Sequence, residues 1–452
     1  MLFRSCYGNP ICKTPNLDRF CAGAVRFDAA YVQAIACNPS RSSFLSGLRP
    51  RTTGITSNQH VMDDHLPAGV LTLPEILKAG GFHLSDIGKL FHKIEYAEKQ
   101  YAAFDRLEHY QRPPGWTGPE PILTFSRPKN PNPDPMPKDE KSREYREWKQ
   151  RHSDRYGDTG MAHEDHGDYR MACTAVAMIK DYAKTGRRFF LSVAQSKPHT
   201  PLTAPKKFID MYDPAKIPDP QAPASSLRNF PYMKRATGGN PDIFTKTQPT
   251  PQQAREAIAA YYACCTMVDS HVGMMLDALE ETGLAKTTIV VFLGDHGFHL
   301  GDHGFWSKYS MLAPTHRAPL AIRVPGAPGN GKVAKGIVEF VDFIPTLCEL
   351  AGLKAPDGQE GVSFAPLLAD PARPWKKAAF IAEGDSEDGD GVRTPKFSYM
   401  EFKKGEMPAA MFDLEKDPWE TVNVVDDPAY AAAKAGMAAL LKAGWKAALP
   451  DR

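Results

Sequence analysis

Apolar residues recur at steps of three and four in several stretches of the chain, and short unbroken apolar runs lie between them. The longest periodic stretch, from about 252 to 279, places Ile258, Tyr261, Tyr262, Cys265, Val268, Val272, Met275, Leu276 and Leu279 on one stripe, which predicts a long helix with one buried face. A second helix is expected from about 169 to 183, with Met171, Val176 and Ile179 inward. A shorter one starts at Leu73 and stops at the Gly80-Gly81 pair. Another opens at Pro15, whose fixed φ suits a first turn, and runs to about Ala24. Phe82–Gly88, Phe189–Ala194, Thr287–Leu293 and Leu320–Gly326 read as strands. The Thr287 run is nearly all apolar or β-branched, which fits a central parallel strand buried on both faces. Phe340–Cys348 opens a helix closing the large domain. Segments 392–400 and 411–414 then read as strands of a small antiparallel sheet, and a last alanine-rich helix spans about 428–447.

Composition narrows this picture without naming a chemistry. The 452 residues are 42% hydrophobic and 24% charged, enough for a large core and two subdomains, placed at 1–375 and 376–452. A net charge of +2 gives no footprint for nucleic acid. No apolar run reaches membrane-spanning length and no signal peptide is visible. The eight cysteines lack metal-finger spacing, leaving the redox compartment open, and the adjacent Cys264 and Cys265 are read as core. Segment 111–168 is rich in proline and charge, as in Pro131-Asn132-Pro133-Asp134-Pro135. It reads as a long surface insertion that either shapes specificity at a site rim or is a plain solvated loop. Segment 383–391 reads as a linker or rim loop.

The candidate chemistry stands where strands end, the place where α/β sheets gather ligands. Gly88-Lys89-Leu90-Phe91-His92 stands at the end of the Phe82–Gly88 strand, and Lys197-Pro198-His199 follows the Phe189–Ala194 strand. Gly294-Asp295-His296-Gly297 follows the Thr287–Leu293 strand, with Gly301-Asp302-His303-Gly304 and Lys308 just beyond. Cys37-Asn38-Pro39-Ser40-Arg41 opens a further helix. Each has a plain reading when taken alone: a buried cysteine, a surface lysine, a satisfied core histidine, a turn. Asp295 is a hard oxygen ligand of the kind calcium or magnesium takes. His316 is either near the site or a satisfied core histidine, and His299 and His303 are read as loop or rim residues. A zinc site is disfavoured, because the histidines lack a helical i, i+4 pair. Asp63-Asp64 is read as a solvated loop.

Taken together and in order, these motifs resemble the type I, formylglycine-dependent sulfatases. The family signature is met by Cys37, Pro39, Ser40, Arg41, Leu45, Ser46 and Gly47. The iduronate-2-sulfatase branch is similar at Lys89 and His92, at Lys197-Pro198-His199, and at Trp306-Ser307-Lys308-Tyr309-Ser310. Asp413–Glu420, with Asn423, resembles the family's C-terminal subdomain. The resemblance implies an alkaline-phosphatase-like α/β sandwich with a central, mostly parallel sheet and a small C-terminal α+β subdomain with an antiparallel sheet. It implies that a formylglycine-generating enzyme oxidises Cys37 to an aldehyde, whose hydrate attacks sulfur through one hydroxyl and expels sulfate through the other. It places Arg41 beside that diol, gives Lys89, Lys197 and Lys308 the sulfate oxygens, and has His92 steady the diol. His199 protonates the departing alcohol. Cys37, Asp295 and His296 hold Ca²⁺, or Mg²⁺. The implied substrate is a sulfated sugar, from a glycosaminoglycan or another polysaccharide, in a periplasmic, secreted or lysosome-like compartment. Two departures stand out. Leu48 replaces an arginine of that branch. In the family an apolar strand ending in two metal-binding aspartates precedes the segment matching Cys6–Phe20, where here only Met1–Ser5 do. A phosphonate or phosphodiester hydrolase of the same superfamily, and a non-catalytic sulfated-glycan-binding protein, remain as alternatives.

Overall fold

The computed structural model describes residues 5–108, 117–118, 137–139, 142–220, 222, 243–244, 248–308, 310–383 and 389–451. Much of the proline-rich insertion expected at 111–168, including Pro131–Met136, and Tyr309 of the last motif lie outside the described residues. The strands that matter are β1 (Val25–Phe27), β2 (His83–Gly88), β3 (Arg106–Glu108), β4 (Phe189–Ala194), β5 (Val290–Leu293), β6 (Leu320–Arg323), β7 (Val333–Ala334), β8 (Ala379–Glu383), β9 (Gly389–Arg393), β10 (Phe397–Phe402) and β11 (Met407–Asp413). The helices are α1 (Pro15–Ala22), α2 (Cys37–Ser46), α3 (Leu73–Ala79), α4 (Gly167–Thr185), α5 (Pro251–Glu281), α6 (Phe343–Ala351) and α7 (Ala431–Ala443).

One sheet has the order β3-β2-β4 and is parallel throughout. The other has the order β7-β1-β6-β5, parallel between β7 and β1 and antiparallel across β6. Helices cover both faces, as an α/β sandwich requires. On one side Val25, Phe27, Leu84, Leu107, Leu320 and Ile322 share a core with Phe44, Ile76, Phe340 and Ile344. On the other, α4 and α5 lie together over the sheets. Gly88 fixes where β2 stops: its φ is 97°, and a Cβ there would meet the Ala194 carbonyl oxygen at 2.3 Å.

The expected central strand is corrected by this arrangement. β5 runs antiparallel to β6, and all four of its residues are half-buried, not buried on both faces. All six residues of β4 are half-buried as well. The reason is a gap: among the described residues neither strand is paired on its second edge. The two edges come together over the same helices. Leu191 of β4 and Val290 of β5 pack on Ile179, Ala278 and Leu279 from one side, while Phe190, Val291 and Leu293 pack on the opposite core.

The C-terminal part is an antiparallel sheet, β8-β9-β10-β11, with α7 on one face through Met437 against Val392, Tyr399 and Met411. The strand expected over 392–400 is two strands. Thr394-Pro395-Lys396 turns the chain, and Thr394 N–H donates to the Phe397 carbonyl at 2.8 Å. The last helix is shorter than expected, with single 3-10 turns at 428–430 and 445–448 flanking α7.

Near the start of α4, His163 Nε2 lies 2.8 Å from His271 Nε2 of α5, with the rings stacked. Burial pushes both down, to about 4 for His163 with help from Lys207, and to about 3 for His271 with help from His163, His166 and Lys207. A folded pKa below the ordinary 6.5 means that the unfolded chain takes up the extra protons. This contribution to stability is complete above that ordinary value and is lost as the pH falls towards the folded ones. We expect the melting temperature to drop between about pH 6.5 and 4, and His271→Gln to flatten that drop in a thermal scan at stepped pH. An unchanged slope would dissociate the pair from acid sensitivity.

Candidate active site

Cys37 is the first residue of α2, at the positive end of the helix dipole, and Ala36 before it offers no side-chain cap. The turn is pinned from outside. Asn38 donates its N–H to Asn58 Oδ1 at 2.9 Å and its amide to the Ser57 and His60 carbonyls at 3.1 and 2.7 Å. Arg41, one helical turn on, joins three elements. Its Nε and Nη2 reach Asp295 Oδ2 at 3.0 and 2.9 Å, and its Nη1 donates to the carbonyls of Lys89 and, at 3.0 Å, Leu90. Ser40 Oγ donates to the Asp295 carbonyl. The helix start, the end of β2 and the end of β5 are thereby locked around one point.

That point is the Cys37 sulfur. His296 Nε2 lies 3.2 Å from it and Lys308 Nζ 3.5 Å, while burial lowers the nearby His92 and Cys37 pulls it upward. His296 Nδ1 donates to the Gly297 carbonyl at 2.7 Å, which turns Nε2 towards the thiol. Burial pushes the Cys37 thiol up and Asp295 does the same, but Lys308 and His296 prevail and hold it well below the ordinary thiol value. Burial also pushes Asp295 up, yet Arg41, His296, Lys308 and Lys89 keep it far below the carboxylate range. Asp295 and Cys37 raise His296 in return, against burial. Burial lowers Lys89, although Cys37 and Asp295 pull it upward.

The Cys37 sulfur, an Asp295 carboxylate oxygen and an His296 nitrogen lie within 4.8 Å of one another, a spacing that suits one cation. The donor set fits a divalent metal in part. Asp295 is its single carboxylate, and Arg41 already occupies Oδ2. Calcium takes about six to eight oxygens, more than these three residues supply.

Six residues expected from the strand ends meet here with Cys37: Arg41, Lys89, His92, Asp295, His296 and Lys308. Two others stand apart. Lys197 turns its ammonium to the Pro201 carbonyl and to Thr203 Oγ1 at 3.4 Å. His199 is exposed, with Nδ1 donating to the Thr200 carbonyl at 2.8 Å. His299 and His303 are corrected from rim to interior, being 0% and 1% exposed, and His299 Nε2 sits 2.7 Å from Ser310 Oγ. His316 is buried against Tyr31, but it is not the satisfied histidine that was expected, since neither ring nitrogen has a hydrogen-bond partner. Asp63-Asp64 forms a short helical turn, where Asp63 accepts from Lys99 N–H at 3.2 Å. Sequence reading missed the support beneath Arg41, where the buried Tyr101 hydroxyl donates to Asp86. An aspartate inside an apolar strand was the available signal.

A sandwich of this kind, with a buried thiol, cations and a carboxylate gathered at one point, has the alkaline-phosphatase-like fold. Solved structures share the fold. A phosphonate monoester hydrolase of Agrobacterium radiobacter superposes with a TM-score of 0.76 at 22% identity, covering 97% of this chain and 92% of that one. A 2-O GAG sulfatase does so with a TM-score of 0.70 at 22% identity, covering 97% and 88%. The sequence profile of the sulfatase family matches residues 3–353, and that of the N-sulphoglucosamine sulphohydrolase C-terminal region matches residues 301–446. The chain belongs to the sulfatase family and is a sulfuric ester hydrolase. It is 29% identical over 445 residues to a sulfatase of Formosa agariphila, covering 95% of this chain and 81% of that protein. It is 29% identical over 394 residues to mouse iduronate 2-sulfatase, covering 78% and 66%. It is 27% identical over 479 residues to an N-acetylglucosamine-6-O-sulfatase of Bacteroides thetaiotaomicron, covering 97% and 83%.

Proposed function

We propose that this chain removes sulfate from a sulfated sugar, with residue 37 as the nucleophile after oxidation of its thiol to formylglycine. The convergence of two lysines, an arginine, two histidines and a carboxylate on one buried sulfur carries the reading. The names of the relatives support the substrate class, since one acts on iduronate 2-sulfate and another on N-acetylglucosamine 6-O-sulfate. When present, the oxidised side chain supplies the attacking hydroxyl, and a divalent cation on residue 37, Asp295 and His296 offsets the sulfate charge. Lys308 and Lys89 bind the remaining sulfate oxygens as point charges in a dry site. Arg41 keeps Asp295 ionised and aimed. His92 holds the hydroxyl in place. His199 gives the proton of its Nε2 to the bridging oxygen as the sulfur–oxygen bond breaks, so the sugar leaves as an alcohol and not as an alkoxide. We also propose 1–375 as the catalytic unit, and 376–452 as a subdomain that backs it.

The test is the chain co-expressed with a formylglycine-generating enzyme and offered 4-nitrophenyl sulfate, a 6-sulfated N-acetylglucosamine, a 2-sulfated uronate and an aryl phosphonate. Reaction of residue 37 with a hydrazide reagent reports the aldehyde. We expect sulfate esters to turn over and the phosphonate to lag. Phosphonate turnover faster by orders of magnitude would transfer the chain to phosphonate hydrolysis. Tight sugar-sulfate binding without turnover would make it a binding protein.

A further inference from the structure

A buried polar network outside the cysteine cluster holds the loop that carries Lys197 and His199. Asp168, 2% exposed in the first turn of α4, accepts the Ser196 N–H at 3.1 Å on Oδ1 and the Lys197 N–H at 2.9 Å on Oδ2. Both carboxylate oxygens are spent on two successive backbone amides of one loop. The anchor is itself anchored. Gln195 Nε2 donates to the Asp168 carbonyl at 3.1 Å, and His271 Nδ1 lies 3.1 Å from Gln195 Oε1. Because the amide nitrogen of Gln195 is the donor to Asp168, its oxygen faces His271 and Nδ1 carries the hydrogen. His271 Nε2 is then an acceptor, and His163 Nε2 donates to it at 2.8 Å. The hydrogen-bond direction runs from His163 to His271 to Gln195 to Asp168, and every buried group along it is satisfied. Downstream, His199 N–H closes a turn on the Ser196 carbonyl at 3.0 Å. The carboxylate of Asp168 therefore sets the backbone from which His199 projects.

We propose that Asp168 is the positioning residue for His199, and through it decides whether the enzyme can release poorly leaving alcohols. This rests on the sulfate-ester reading above. The side chain touches no reacting atom. It fixes the loop whose histidine delivers a proton, and that proton matters in proportion to the basicity of the leaving oxygen. A sugar alkoxide needs it, and a nitrophenolate does not.

The experiment uses Asp168→Asn, which keeps the shape but turns one acceptor into a donor facing an N–H. We expect turnover of 6-sulfated N-acetylglucosamine to fall about 100-fold, the size of a general-acid contribution, with most of the loss in kcat. Turnover of 4-nitrophenyl sulfate should stay close to wild type. Hydrogen exchange at Ser196 and Lys197 should speed up in the variant. Parallel losses on both esters, or unchanged exchange at those amides, would overturn the proposal and leave Asp168 a purely structural residue. A wild-type chain inert towards both esters overturns the sulfate-ester reading itself, and the proposal with it. If Asp168→Asn fails to fold, Gln195→Leu leaves the carboxylate in place and removes its support. That variant should show the same selective loss at smaller size, and its absence would overturn the proposal.

Discussion

Cys37→Ala should leave a folded chain that no longer hydrolyses sulfate esters. The side chain is 3% exposed, and its sulfur is the atom on which His296 and Lys308 converge at 3.2 and 3.5 Å. Alanine is a good helix residue at this position in α2, so the melting temperature should change little. Loss of the nucleophile of a concerted site costs about 10⁴-fold or more in kcat. Initial rates on 4-nitrophenyl sulfate, with a melting curve on the same preparation, check both halves. Activity within tenfold of wild type would place the nucleophile elsewhere.

Glu339→Ala should destabilise the chain by about 3–5 kcal/mol, the range for removing one partner of a buried ion pair. Arg49 Nη1 and Nη2 reach the two Glu339 oxygens at 2.8 and 2.7 Å. Lys376 Nζ lies 2.9 Å from Glu339 Oε2 and 2.6 Å from Asp342 Oδ1. Gln33 and the Phe380 N–H also donate to Glu339, at 3.3 and 2.9 Å. Burial pushes Glu339 up, but Arg49 and Lys376 hold it down at about 2, while burial raises Asp342. Without Glu339, Arg49 and Lys376 are left with Asp342 and the half-buried Glu360. Arg49 follows the signature helix, and it also lies over Phe380 and Trp445 of the C-terminal part. The lesion would loosen the docking of that part on the helix bearing Cys37. The urea midpoint measures the cost, and a midpoint within experimental error of wild type would show that the network contributes nothing net.

What the sequence showed of this site follows from how local each feature is. Lys89 after β2 and Asp295-His296 after β5 are legible because strand and motif adjoin in the chain, and strand ends are where such residues work. The signature cysteine is legible for the same reason, since the helix starts at the cysteine itself. Features that depend on distant partners were not visible. The ammonium of Lys197 is turned away by Pro201 and Thr203, and Asp168 meets Ser196 across 28 residues. Arg41 was expected beside the nucleophile, but that its fork would also bind Asp295 and two carbonyls was not visible. An apolar run also reads the same in a parallel and an antiparallel strand, so the direction of β5 had to come from β6.

Among the described residues no strand pairs with the second edge of β4 or of β5, and this bears on how the chain behaves in a test tube. Unpaired backbone flanked by apolar side chains templates the addition of another extended segment, from the same molecule or from a neighbour. Where such an edge stays open, self-association at high concentration is expected to start there. β4 leads into Gln195–His199 and β5 into Gly294–His296, so a segment added at those edges would lie near both loops of the candidate site. Association along that seam is therefore expected to take activity with it, which turnover measured across a concentration series checks.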